Sequence, residues 1–193
     1  MSWEKSFDED EAIGKAMKVF WKKGFEQASM SDLIAGTGLT RGSLYNAFGC
    51  KKQLFVKALL KYDKENRRAL LAELEAMDDP TRAIAALFDA IVSETIDDTN
   101  RKGCFLINTA SELMMHDEEV NGIVRNGLRE TQAFFRRSIE VAQARKQICA
   151  TLEPEASAKG LMAMIVGIRV LGRGMFDESS LKTIAAQAQR LLH

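Results

Sequence analysis

Between positions 40 and 46 the chain reads Thr-Arg-Gly-Ser-Leu-Tyr-Asn, which gathers two hydroxyls, a guanidinium, a phenol and an amide around one glycine. These are the groups that hydrogen-bond nucleic acid. Hydroxyls and phenols hold phosphate oxygens, while Arg and Asn read the edges of guanine and adenine. A glycine near the leading end of a helix keeps the surface low enough for close approach to a groove. Thr40, Arg41, Gly42, Ser43, Tyr45 and Asn46 are therefore the candidate DNA-contact residues. Ser29 and Lys51 join them, with Tyr45, as groups that position the backbone.

Other chemistries find little support. The chain has two histidines, no nucleophile motif, no phosphate-cradling glycine loop and no His/Cys/Asp spacing suited to a metal. An enzyme is not expected, and neither is a cofactor.

The polar run needs a scaffold, and the flanking residues supply one. Ser29 followed three positions later by Asp32 forms a capping box that starts a helix. Met30, Leu33 and Ile34 recur at helical spacing, and Gly36 and Gly38 limit that helix to about Thr37. After the Gly38-Leu39 turn, Thr40 caps a second helix running to about Phe48, whose inner face is Leu44, Ala47 and Phe48. A short helix, a glycine turn and a second helix with a polar outer face make a helix-turn-helix, which lays its second helix in the major groove. Upstream, Ala12, Ala16, Val19 and Phe20 form the inner face of a supporting helix that ends near Lys23-Gly24.

From about Ala12 to Phe55 the order of residues resembles the N-terminal domain of the tetracycline-repressor (TetR) family. The resemblance is carried by Ala16, Phe20, Gly24, Phe25, Ser29, Met30, Gly38, Leu39, Arg41, Gly42, Leu44, Tyr45, Phe48, Lys51 and Leu54. Departures fall at Ala28, Ala47 and Cys50. The resemblance implies an all-α protein in which a three-helix DNA-binding domain, residues 1–52, is joined by a connecting helix over about 51–77 to a ligand-binding and dimerisation domain, residues 53–193.

Charge is distributed as this reading requires. The 193 residues carry 27 Lys or Arg and 27 Asp or Glu, but residues 12–68 hold 12 of the former against 4 of the latter. Phosphate attraction needs such segregation, not a basic whole. Lys51 and Lys52 stand at the start of a helix, where free N–H groups also favour a phosphate. The acidic opening MSWEKSFDEDE has no apolar core of a signal peptide, and three scattered cysteines suggest reduced thiols. A cytoplasmic, nucleoid-associated protein is expected.

The remainder stays helical without a motif. Pro80 opens a helix bearing Ile84, Leu87, Phe88, Ile91 and Val92, which lasts to about Ile96. A polar loop spans 97–103, a helix follows from Phe105 to Met115, and a long helix runs from about Glu118 to Lys146. The inward candidates on that long helix are Val120, Ile123, Val124, Leu128, Phe134, Phe135, Ile139 and Val141. The segment Ala156–Met175 is apolar nearly all round, with small residues at Gly160, Ala163, Gly167 and Gly174, so it must be covered on both sides. A partner copy meeting that stripe gives a symmetric dimer, the commonest assembly. The resemblance implies the same dimer, built on the last two helices, about 156–175 and 179–192. Two recognition helices would then lie about 34–36 Å apart on a palindromic operator.

The resemblance also implies a small-molecule effector bound within the C-terminal helices. Candidate lining residues are Phe88, Phe105, Asn108, Thr109, Glu112, His116, Phe134, Met164 and Arg169. Cys104 offers an alternative switch. It precedes a helix and follows Arg101 and Lys102, so dipole and charge together would activate its thiol toward oxidants or electrophiles. A further alternative is an architectural or cell-division regulator with no small-molecule effector.

Overall fold

The computed structural model describes residues 7–112 and 117–192, and no strand occurs among them. Ten helices follow in order: α1 Glu9–Gln27, α2 Met30–Thr37, α3 Arg41–Phe48, α4 Lys51–Tyr62, α5 Ala69–Glu75, α6 Pro80–Asp97, α7 Phe105–Ala110, α8 Glu118–Ala144, α9 Pro154–Leu171 and α10 Glu178–Arg190. A π-helical turn, Asp63–Arg68, joins α4 to α5 without breaking the rod. The connecting helix was expected to be regular, and nothing in its residue types signals the wider turn.

Short polar side chains start most of these helices, by accepting from N–H groups that have no partner within the helix. Ser29 and Asp32 close the expected capping box on α2, and Thr40 Oγ1 accepts from Ser43 N at 3.1 Å. Asp79 caps α6 ahead of Pro80, as the proline suggested. Glu153 and Pro154 do the same for α9, two residues earlier than the sequence reading placed it. The first helix is interrupted at Gly24, whose φ of 76° no ordinary side chain adopts easily. Gly38 ends α2 in the left-handed region at φ 74°, donating to Ile34 O at 2.9 Å.

Packing divides the apolar residues between two cores. Phe20, Leu33, Leu44, Phe48, Leu54, Phe55 and Leu59 make the first, which also takes in Phe105, Leu106, Val120 and Val124 from α7 and α8. Ile84, Leu87, Phe88, Phe134, Phe135, Ile139, Leu161, Ile165 and Ile168 make the second. The head formed by α1–α3 thus rests on the start of the larger helical body through shared hydrophobic contact, and Cys104 and Leu128 pack against both cores.

Three expectations are corrected. Val141 was assigned inward on α8, yet it is 42% exposed, because the inner stripe passes through Ser138, Ile139 and Ala142 instead. Gly174 was placed on a small-residue stripe, but α9 ends at Leu171 and Gly174 lies in the following turn at φ 129°. A Cβ there would stand 2.6 Å from Arg101 Nη1, so its small size has a local reason. The helix expected over Phe105–Met115 stops at Ala110, where Ser111 is its C-cap, and Met115 and His116 themselves lie outside the described residues. No helix among the described residues is long and apolar enough to cross a membrane.

Candidate nucleic-acid interface and ligand cavity

The helix-turn-helix is built as the capping residues dictate, and it presents a polar face. Leu44 and Phe48 are buried, whereas Thr40, Arg41, Gly42, Tyr45 and Asn46 are exposed and Ser43 is half-buried. Arg41 lies with its guanidinium 5.6 Å from the Tyr45 ring centroid, a cation–π contact that keeps both side chains on the outer face. Thr40 Oγ1 and Ser43 Oγ are 2.9 Å apart, so each hydroxyl is oriented by the other. Gly42 has no structural reason to be a glycine: the nearest atom to an added Cβ is Thr40 Oγ1 at 3.9 Å. The space above it is open.

Ser29 is engaged more fully than expected. Its hydroxyl accepts from Asp32 N at 3.1 Å and donates to Asp32 Oδ2 at 2.8 Å. Lys23 reaches the same carboxylate at 2.6 Å. The Lys23 hydrogen bond and then the Ser29 contacts hold the Asp32 pKa down to about 2. The two lysines at the start of α4 diverge. Lys51 Nζ donates to Glu26 O at 3.3 Å and lies 4.5 Å from the Phe25 ring centroid, at the outer corner where α1 ends. Lys52 is not placed for phosphate, because it is held by Asp117 and by Glu119 at 2.9 Å, bracing the head against the start of α8.

In the body, Tyr62, Asn66, Arg67, Leu70, Leu71, Leu87, Ile91, Glu94, Cys104, Leu106, Ile107, Leu128, Thr131, Met162, Ile165 and Arg169 line a cavity that opens to solvent. Of the eight expected effector residues that lie among the described ones, Arg169 alone lines it. Phe88 and Phe134 are filled into the second core at 0% and 1% exposure, and Phe105 belongs to an aromatic cluster with Phe55 and Tyr62. Asn108, Thr109 and Glu112 lie with Phe105 along a separate hollow beside Gly24 and Arg173. Met164 is half-buried against the second core. Apolar periodicity marks core and cavity wall alike, so it could not separate them. The polar lining residues Asn66 and Arg67 were missed because they sit in the π-helical turn, inside what reads as a connector.

Cys104 also lines the cavity, but not as an activated thiol at a free helix end. It is half-buried, and its Sγ accepts from the Tyr62 hydroxyl at 3.4 Å. The neighbouring charges turn elsewhere: Lys102 Nζ lies 4.3 Å from the Trp21 ring centroid, and Arg101 faces Gly174. The arrangement does not favour a thiol switch. Burial first, and then Cys104, raise the Tyr62 pKa well above its ordinary value.

One chain of contacts runs from this wall to the head. Trp21, on α1, donates from Nε1 to Gly103 O at 2.9 Å and meets the Tyr62 ring edge-on at 4.8 Å between centroids. A second hollow shares Tyr62, Asn66, Glu94 and Arg169 with the cavity and extends to Trp21 and Gly103.

Residues 12–58 match the family model described as bacterial regulatory proteins of the tetR family, and residues 80–188 match a tetracyclin repressor-like C-terminal domain. The Bacillus subtilis regulator YezE, of the helix-turn-helix type, is 34% identical over an alignment spanning 62% of each chain, so less than two thirds of YezE is covered. The Escherichia coli transcriptional repressor ComR is 29% identical, with 97% of this chain and 90% of ComR aligned. Among solved structures, a cysteine-substituted form of the regulator CifR bound to 26-base-pair operator DNA superposes with a TM-score of 0.83. That match has 26% identity and covers 96% of this chain and 97% of CifR.

Proposed function

The chain belongs to the TetR family of bacterial transcriptional regulators, and from that premise we propose that it acts as a homodimeric repressor, binding a palindromic operator and released by a small molecule. The observation that carries the DNA-binding part is the outer face of α3: Arg41, Tyr45 and Asn46 exposed around a glycine that the fold itself does not require. Glycine at a helix position costs up to about 1 kcal/mol relative to alanine. Close approach of a duplex explains why that cost is kept. Arg41 and Asn46 read base edges, Thr40, Ser43 and Tyr45 hold phosphates, and Ser29 and Lys51 flank them on the adjoining helix ends.

Dimerisation is supported by what α9 leaves uncovered. Leu161, Ile165 and Ile168 face the core of the same chain, whereas Ala163 and Val170 are exposed and Gly160 and Gly167 are half-exposed. Nothing lies within 4 Å of a Cβ built at Gly167. A second copy of the same surface would cover the stripe. The cavity, with its apolar walls and a few polar groups, has the make-up of a small-molecule site.

Operator DNA selected by the purified protein from a random pool provides the test. Arg41→Ala is expected to lose discrimination between the selected site and its single-base variants. Lys51→Ala is expected to weaken all sequences alike and reduce the salt slope by roughly one. Equal, salt-independent losses in both variants would contradict these roles. Binding to many dispersed sites, with no metabolite able to release the protein, would favour an architectural regulator.

A further inference from the structure

We propose that the cavity takes a compact organic carboxylate, an apolar body with one anionic end, held by Arg67 and Arg169. This rests on the effector-released reading above and gives the effector a chemical class.

The first observation is an unfinished hydrogen-bond set. Arg67 donates from Nε to Asp63 Oδ1 at 2.5 Å and from Nη2 to Asp63 Oδ2 at 2.9 Å and Glu130 Oε2 at 2.5 Å. Its Nη1 is buried and has no hydrogen-bond partner. A buried donor left unpaired carries the full cost of its lost hydration. Neighbouring acids are already committed, since Arg68 also bridges Asp63 at 3.0 Å and Glu130 at 2.9 Å. Neither Asp63 nor Glu130 supplies an acceptor to Nη1.

The second observation is a guanidinium whose counter-ion can leave. Arg169 has a side chain only 12% exposed, and it is paired with Glu94, whose side chain is 56% exposed at the rim. Rotation of Glu94 into water would free Arg169 to take a carboxylate in the two-pronged geometry that suits a guanidinium. Most of the remaining wall is hydrocarbon, with Leu71, Leu87, Ile91 and Ile165 among it, and Tyr62, Asn66, Cys104 and Thr131 add a few polar groups. A cation would meet two guanidinium groups and no uncommitted carboxylate among Asp63, Glu94 and Glu130. A purely apolar guest would leave Nη1 unpaired. Of the simple ligand classes, an apolar carboxylate satisfies both arginines and the walls. Because Arg67 follows α4 and Arg169 lies on α9, one bound anion would draw together the rod that carries the head and the helix at the exposed stripe.

The experiment uses the full-length protein with octanoate and hydrocinnamate, their neutral amides, and octylamine. Operator affinity without ligand is measured first, then calorimetric binding and operator release with each compound. The carboxylates are expected to bind and release operator, the amides to bind at least about tenfold more weakly, and octylamine not to bind, as the loss of a charge-assisted hydrogen bond dictates. Arg169→Met is expected to weaken the carboxylates at least about tenfold while leaving the amides unchanged. Arg67→Lys, which retains a charge opposite Asp63 but has no second nitrogen at the position of Nη1, is expected to do the same. Circular-dichroism melts identify any variant that fails to fold, and the ligand series on the wild type decides the matter without them. Amides that match their carboxylates, or carboxylates that do not bind, would overturn the proposal. Absence of operator binding before any ligand is added would instead sink the reading of the chain as a repressor.

Discussion

At Gly42 the demands of folding and of binding separate. An alanine there meets nothing closer than 3.9 Å, so Gly42→Ala is expected to raise stability by up to about 1 kcal/mol through helix propensity. The same methyl group stands where a duplex would approach, so operator binding is expected to weaken by at least about 1 kcal/mol. Thermal melts and operator titrations of one variant check both signs, and a variant that gains on both counts would remove the argument. Asp32 makes the complementary case. Its pKa is held at about 2, below the ordinary 3.8, so its charged form is favoured in the folded chain. A depressed carboxyl pKa gives stability that is fully present above the ordinary value and is lost as pH falls through the folded one. The stability difference between wild type and Asp32→Asn is therefore expected to shrink between about pH 4 and pH 2, as followed by denaturant titrations across that range.

Among the helices, those of the head were legible because their ends are written in single residues. Ser29, Asp32, Gly38 and Thr40 fix two boundaries and a turn, and the structure places them as read. Gly36 adds a contact the sequence could not disclose. A Cβ there would stand 2.4 Å from Val19 Cγ2, so α1 and α2 touch at a glycine. Gly36→Ala is expected to destabilise the protein by about 1–3 kcal/mol, as overpacking does, and Val19→Ala is expected to restore part of the loss. A double-mutant cycle measures that coupling, and additive losses would refute it. The body was legible as helices and not as a site. Phe88 and Phe134 carry the same apolar pattern as Leu87 and Ile91, yet the former fill the core and the latter line the cavity. Only the packing of several helices distinguishes them. The π-helical turn that brings Asn66 and Arg67 to the cavity was likewise invisible, since it depends on how α4 is followed and not on any breaker residue.

For the whole molecule, the segregated charge is smaller in effect than residue counts suggest. Lys15 and Lys23 pair with Glu11 and Asp32, while Lys52 and Lys61 are held by acids elsewhere in the chain. Some of that positive charge fastens the head to the body. Dimerisation can be tested apart from folding, because Ala163 is exposed and Gly167 is open above its helix. Ala163→Glu combined with Gly167→Glu is expected to give a monomer in sedimentation with helical content unchanged. Operator affinity is expected to fall about a hundredfold or more as bivalent binding is lost. A dimer that persists would place the interface elsewhere.

Trp21 gives the molecule a built-in optical probe. Its indole touches α4 through Tyr62, the loop before α7 through Gly103, and the side chain of Lys102. A movement of the head against the body therefore changes the hydrogen bond, the ring contact and the local charge around one fluorophore together. With Trp3 replaced by phenylalanine, the emission of Trp21 would report that joint alone, so the angle between the two parts can be followed in solution without attaching a label.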